Sequence, residues 1–209
     1  PPRSTLFPYT TLFRSGQKYI VEGDFSNCSY FMAIAAISRG RLIIENLNKD
    51  SKQADKAFVN ILENMGCKIE WNDNSLIVRG GELKGIEIDM KKSPDIVPTL
   101  AVVSAFAKGP TKIKNIETLR YKETDRLSAV ANELTKIGCK VDEGDDYIII
   151  IPGKLSGAEI ETYKDHRMAM SFAVAGLFIE GIKIRDPDCV SKSYPKFWED
   201  FSKICEGIN

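Results

Sequence analysis

The chain repeats itself, and this constrains its fold more than any other feature. Met65-Gly66-Cys67-Lys68-Ile69 matches Ile137-Gly138-Cys139-Lys140-Val141 at an offset of 72 positions (67 to 139), and Ser75-Leu76-Ile77-Val78 then aligns without a gap on Tyr147-Ile148-Ile149-Ile150. The same offset carries Ala107-Lys108-Gly109 onto Ile179-Glu180-Gly181, and Gly40 takes the equivalent place after the apolar run from Tyr30 to Ile37. A fixed period means one supersecondary unit reused around a shared core. Three units of about seventy residues account for the repeat.

The periodicity inside a unit predicts its elements. Cys28 to Ser38, Ile96 to Ala107 and Met168 to Ile179 are apolar nearly all round and end at glycine, the pattern of buried helices. A second helix in each unit is one-sided: Phe58, Ile61, Leu62 and Met65, then Leu127, Val130, Leu134 and Ile137, then Phe197, Phe201, Ile204 and Cys205. Short β-rich runs lie between them at Arg41 to Glu45, Lys68 to Trp71, Leu76 to Val78, Ile86 to Asp89, Lys112 to Ile116, Tyr147 to Ile151, Ile160 to Tyr163 and Ile182 to Arg185. The predicted fold class is α/β, three βαβαββ repeats with buried helices and outer sheets. Strands joined through crossover helices run parallel, so both helix starts of a unit face one end, where ligands of such folds bind. Free N–H groups at those starts are expected to attract anions.

Composition removes several function classes. Lys and Arg total 29 against 29 Asp and Glu, so no basic surface for nucleic acid is expected. Apolar residues make up 43% and charged residues 28%, as in a folded globular chain. No apolar run is long enough to span a membrane and no signal-peptide pattern is present, which predicts a cytoplasmic protein with no membrane partner. Five cysteines without a CxxC pair, and a single histidine, argue against a zinc site. Cys67 and Cys139, in matching Gly-Cys-Lys turns, read as buried structural residues. Residues 1–16 lack the periodicity of the rest and contain Thr5-Leu6-Phe7 echoed by Thr11-Leu12-Phe13. They are expected to be a non-native or disordered leader, with the domain occupying 17–209.

The unusual polar residues cluster at the end the topology selects. Before the first helices stand Ser26, Asp95 and Arg167, in register across the units. Before the second helices stand Ser51-Lys52-Gln53, Lys122-Glu123-Thr124-Asp125-Arg126 and Val190-Ser191-Lys192-Ser193, with a lysine in each. The middle unit is longer here, 29 positions from Gly109 to Gly138 against 26 from Gly40 to Gly66. Taken singly, Asp95 after Pro94 reads as a helix cap, the 122–126 run as a solvated helix start and His166 as a structural histidine. Their coincidence at one end favours a site. Four cations (Lys122, Arg126, Arg167, Lys192) suit a ligand carrying carboxylate and phosphate, and Asp95 and Glu123 suit proton transfer.

Lys122-Glu123-Thr124-Asp125-Arg126, Asp165-His166-Arg167-Met168-Ala169-Met170, Pro94-Asp95 and Asp188 to Pro195 resemble the signatures of the 5-enolpyruvylshikimate-3-phosphate (EPSP) synthases. The resemblance spans about residues 17 to 204 and covers the second half of a two-domain enzyme. It implies transfer of enolpyruvyl from phosphoenolpyruvate to the 5-hydroxyl of shikimate 3-phosphate with release of phosphate, on the route to chorismate and the aromatic amino acids. No metal or organic cofactor is implied. Residue by residue, it implies that Asp95 accepts the 5-hydroxyl proton and touches shikimate 3-phosphate. Glu123 exchanges a proton with the methylene carbon, and Lys122 touches the sugar and assists. Arg126 and Arg167 bind the phosphoenolpyruvate carboxylate with support from His166, and Lys192 meets its phosphate. Thr118 stands where some members carry asparagine. The N-terminal half is implied as a partner supplying the opposite wall, and without it the chain is expected to be nearly inactive. A UDP-N-acetylglucosamine enolpyruvyl transferase-like enzyme and a non-catalytic anion-binding domain are the alternatives.

Overall fold

The computed structural model describes residues 20–206, so the expectation about residues 1–16 lies outside the described residues. Six helices and nine strands follow in order: α1 (Phe25–Ser38), β1 (Arg41–Glu45), α2 (Ala57–Met65), β2 (Lys68–Asn72), β3 (Ser75–Arg79), β4 (Glu87–Asp89), α3 (Val97–Ser104), β5 (Thr111–Lys114), α4 (Arg126–Lys136), β6 (Lys140–Glu143), β7 (Tyr147–Ile151), β8 (Glu159–Ile160), α5 (His166–Gly176), β9 (Lys183–Ile184) and α6 (Phe197–Glu206). The second unit is the complete βαβαββ set, β4 to β7. The first shows αβαββ and the third βαβα among the described residues.

Helices α1, α3 and α5 pack on one another at the centre. Every residue of α3 is buried, which is why its sequence has no polar face. One hydroxyl from each helix meets at the axis: Ser29 Oγ lies 3.2 Å from Thr99 Oγ1, which lies 3.2 Å from Ser171 Oγ. Three buried hydroxyls that satisfy one another avoid the cost of an unpaired polar group. Helices α2 and α4 turn Phe58, Ile61, Leu62 and Met65, and Leu127, Val130 and Leu134, toward the same core.

The sheets cover the outside, with orders β1-β3-β2, β4-β5-β7-β6 and β8-β9. β4 and β5 pair in parallel, as do β8 and β9, across their crossover helices. β5 and β6 are parallel too, but β7 inserts between them and is antiparallel to both. β3 does the same between β1 and β2. The hairpin strand is thus the central one, and this explains its buried runs Leu76-Ile77-Val78 and Ile148, Ile150. Gly66 and Gly138 end α2 and α4 at φ 115° and 105°, a conformation that glycine adopts without steric cost.

Four sequence expectations need correction. The run Lys140 to Glu143 was not among the predicted strands, being charged at three of its four positions, and forms β6 through its pairing with β7. The strand expected over Ile160 to Tyr163 stops at Ile160, because Tyr163 and Lys164 take left-handed backbone angles. The strand at Lys112 to Ile116 ends at Lys114, with Asn115 at φ 60°. Asn46 and Asp186 hold positive φ in the equivalent places, so each unit leaves this strand through a residue of a type that tolerates that conformation. Three of the helix starts, finally, are not free anion sites. Asp24, Asp125 and Asp165 accept from Ser26 N, Ser128 N and Arg167 N and cap α1, α4 and α5. Their charge offsets the positive helix ends.

Cys67 and Cys139 are buried at equivalent turns. Among the described residues no helix is long and apolar enough to cross a membrane.

Candidate functional site

Asp95 lies in a tight 3-10 turn, Pro94–Ile96, that leads into α3, and its carboxylate caps no helix. It faces three cations instead. Lys122 Nζ lies 3.1 Å from Oδ1, Arg126 Nη1 3.2 Å from the same oxygen, and Arg167 Nη2 3.2 Å from Oδ2. These partners come from the starts of α4 and α5, so α3, α4 and α5 converge on one carboxylate.

Arg126 is the hub. Its side chain is only 1% exposed and divides its donors among three acids: Nε to Asp165 at 2.7 Å, Nη1 to Asp95 and Nη2 to Glu123 at 2.6 Å. Asp165 is fully buried and spends its other oxygen on the cap of α5. A buried guanidinium with a single acid partner would be poorly compensated, whereas three charge-assisted bonds satisfy both charge and geometry. Glu123 continues outward, with Oε1 accepting from Lys192 Nζ at 2.9 Å. The result is one alternating series, Lys192, Glu123, Arg126, Asp95 and then both Lys122 and Arg167.

The charges bias the acids toward ionisation. For Glu123, burial acts upward, but the Lys192 hydrogen bond and the fields of Arg126 and Lys192 outweigh it and hold the carboxyl at about 2. Burial likewise acts upward on Asp95, and Arg167, Lys122 and Arg126 together bring it below the usual range. Arg126 and Lys192 exert the pull on Glu123, while Lys122, its neighbour in sequence, is turned to Asp95.

His166 is buried beside this series, with Nδ1 4.0 Å from Asp165 Oδ1 and no hydrogen-bond partner. Burial lowers its pKa, so the ring is neutral at pH 7. All seven residues singled out from the sequence therefore sit on one rim. Lys52, the third recurring lysine, does not join them and is exposed. Its neighbour Gln53 is structural: its side chain accepts from Phe25 N at 2.9 Å and donates to Glu22 and to Gly23 O. Ser26 donates to Asp55, which burial pushes up in pKa despite that bond.

Two contributors escaped sequence reasoning. Asp165 was visible within the Asp-His-Arg motif but passed for a plain neighbour. Arg120 had no signal of its own. It donates to Asp125 at 2.9 Å, Gly144 O at 2.6 Å and Asp145 O at 3.0 Å, and so ties the long loop holding Lys122 and Glu123 to the β6–β7 hairpin.

The family model described as EPSP synthase (3-phosphoshikimate 1-carboxyvinyltransferase) matches residues 8–201. A 3-phosphoshikimate 1-carboxyvinyltransferase of Serratia proteamaculans is 46% identical over 195 residues, covering 93% of this chain and 46% of the relative. One from Nostoc punctiforme is 48% identical over 191 residues, covering 91% and 45%. The chain thus spans about half the length of the curated relatives it matches. An EPSP synthase structure from Acinetobacter baumannii superposes with a TM-score of 0.78 at 30% identity, over 90% of this chain and 48% of that one. The enolpyruvyl transferase NikO from Streptomyces tendae, at 18% identity and a TM-score of 0.68 over 88% of this chain and 43% of that one, shares the fold.

Proposed function

The chain belongs to the EPSP synthase family, and from that premise we propose that it forms one wall of a site transferring enolpyruvyl from phosphoenolpyruvate to the 5-hydroxyl of shikimate 3-phosphate. The observation that carries this reading is the alternating series from Lys192 to Arg167, which gathers four cations and two ionised acids from the starts of four helices, α3 to α6.

In the free chain the cations are neutralised by protein carboxylates. A ligand bearing both carboxylate and phosphate competes for them. Lys192 is the most exposed and meets phosphate first, while Arg167 and Lys122 are partly accessible. Arg126 lies beneath the rim, so its share in holding the phosphoenolpyruvate carboxylate requires Glu123 or Asp95 to swing aside. As Lys192 turns to phosphate, Glu123 loses its strongest stabilising partner and gains an anionic neighbour. Both changes raise its pKa, and it becomes able to carry the proton delivered to the methylene carbon. Asp95, still ionised, accepts the proton of the attacking 5-hydroxyl, with Lys122 holding the sugar. Neutral His166, buried beside Asp165, supports Arg167 through the start of α5 that they share.

The remaining half of a full-length enzyme supplies the opposite wall in this proposal, since positioning two anions for reaction needs groups on both sides. A chimera in which this chain replaces the matching segment of the Serratia relative tests the reading. Phosphate release is expected only with phosphoenolpyruvate and shikimate 3-phosphate together, and not when UDP-N-acetylglucosamine replaces the latter. Turnover left intact by Glu123→Gln would refute the role given to Glu123.

A further inference from the structure

We propose that Glu133 is a positioning residue for the rim, its buried carboxylate holding Glu161 to Lys164 in the shape that presents Asp165, His166 and Arg167. The inference rests on the reading above that Arg167 meets the ligand. Glu133 lies on α4, two turns beyond Arg126, and is completely buried. At the offset of 72 its counterpart on α2 is Ile61, a buried apolar residue, so the fold itself does not call for a carboxylate at this place. A buried acid needs partners. Glu133 has Lys136 Nζ at 2.8 and 2.9 Å on its own helix, Tyr163 Oη at 2.9 Å and Glu161 N at 3.2 Å. The last two belong to the segment between β8 and α5.

That segment is strained. Tyr163 and Lys164 stand at φ 55° and 57°, the only adjacent pair of positive-φ residues among those described. Neither is of a type that adopts this conformation readily, and the corresponding loops before α1 and α3 contain no such residue. The next residue is Asp165, which caps α5 and holds Arg126, and Arg167 follows two positions later. Strain of this kind persists where surrounding contacts over-determine it. Glu133 supplies two of those contacts from the helix that also carries Arg126. A relaxed turn would swing the start of α5 and draw Arg167 away from Asp95.

The test reads the Asp95 carboxyl titration by carbon-detected NMR, together with phosphoenolpyruvate affinity, in Glu133→Gln and in Tyr163→Phe, which removes one hydroxyl and leaves the core filled. The inflection of Asp95 is expected to move up toward an ordinary aspartate as Arg167 withdraws. Affinity should fall about tenfold, within the roughly hundredfold that a displacement of about 1 Å can cause. Adding Lys164→Gly to Glu133→Gln should return both readings toward wild type, because glycine takes positive φ without steric cost. A purely stabilising role would lower the melting temperature and leave Asp95 unmoved. An Asp95 titration that matches wild type in both single variants overturns the proposal. If the wild-type chain binds no phosphoenolpyruvate, the functional reading fails while the titration still decides the role of Glu133.

Discussion

Where the first unit enters α1 it places Ser26, whose hydroxyl donates to Asp55, beside Gln53 and its bonds to Glu22, Gly23 and Phe25. Where the second unit enters α3 and α4 it places Asp95, Lys122, Glu123 and Arg126, locked to Arg167 and Lys192 of the third. The two units share the inserted hairpin strand, the positive-φ glycine after the second helix and the asparagine that ends the strand before it. The residues at their helix starts differ. The frame is therefore set by apolar period and glycine, and the chemistry by a few side chains that the frame delivers to one end.

The contrast predicts unequal sensitivity at equivalent places. Arg126→Ala strands three acids around a vacated hub, and breaking such a buried network costs on the order of 3 to 5 kcal/mol. Gln53→Ala, removing neutral hydrogen bonds in the first unit, should cost about 1 kcal/mol. Urea unfolding measures both, and equal losses would erase the distinction between the two rims. The shared frame predicts equality instead. Gly66→Ala and Gly138→Ala should each cost roughly 1 to 3 kcal/mol, since each sits at positive φ and a Cβ would meet the carbonyl of Glu82 at 2.6 Å or of Lys154 at 2.3 Å. A large difference would show that the repeat is not mechanically equivalent.

Acid titration separates the rims by sign. Glu123 and Asp95 are depressed in the folded chain, so the stability they add is complete above the unfolded carboxyl value and drains away as pH falls through the folded ones. For Glu123 that window runs from its unfolded value of 4.5 down to about 2. Asp55 is raised, so its contribution is present below the unfolded value and is lost as pH rises through the folded one. Glu123→Gln should flatten the acid limb of a stability profile, and Asp55→Asn should leave that limb in place and improve stability near neutral pH. Smallest of all, Lys52→Ala should change stability by no more than about 0.5 kcal/mol and leave phosphoenolpyruvate binding untouched, whereas Lys192→Ala should weaken that binding in calorimetry.

Most of the frame was legible because it rests on local rules. Apolar runs without a polar face gave α1, α3 and α5, and the 72-residue offset aligned the glycines. β6 was missed because its charged residues face water while its neighbour β7 carries the burial. The turn at Tyr163 and Lys164 was missed because contacts distant in sequence, chiefly from Glu133, impose it. The rim residues were legible in type, as charges gathered at helix starts, but not in pairing. Which cation holds Glu123 depends on where α6 and its preceding turn lie, and no local pattern reports that. Arg120 was invisible for the same reason.

Chemical-shift mapping of phosphoenolpyruvate on the isolated chain tests the central claim most directly. The account predicts that saturable shifts concentrate at Asp95, Lys122 to Arg126, His166, Arg167 and Lys192, and that Ser26, Gln53 and Lys52 stay nearly still. Saturable shifts centred on the first unit's rim, with Arg167 and Lys192 unmoved, would contradict it.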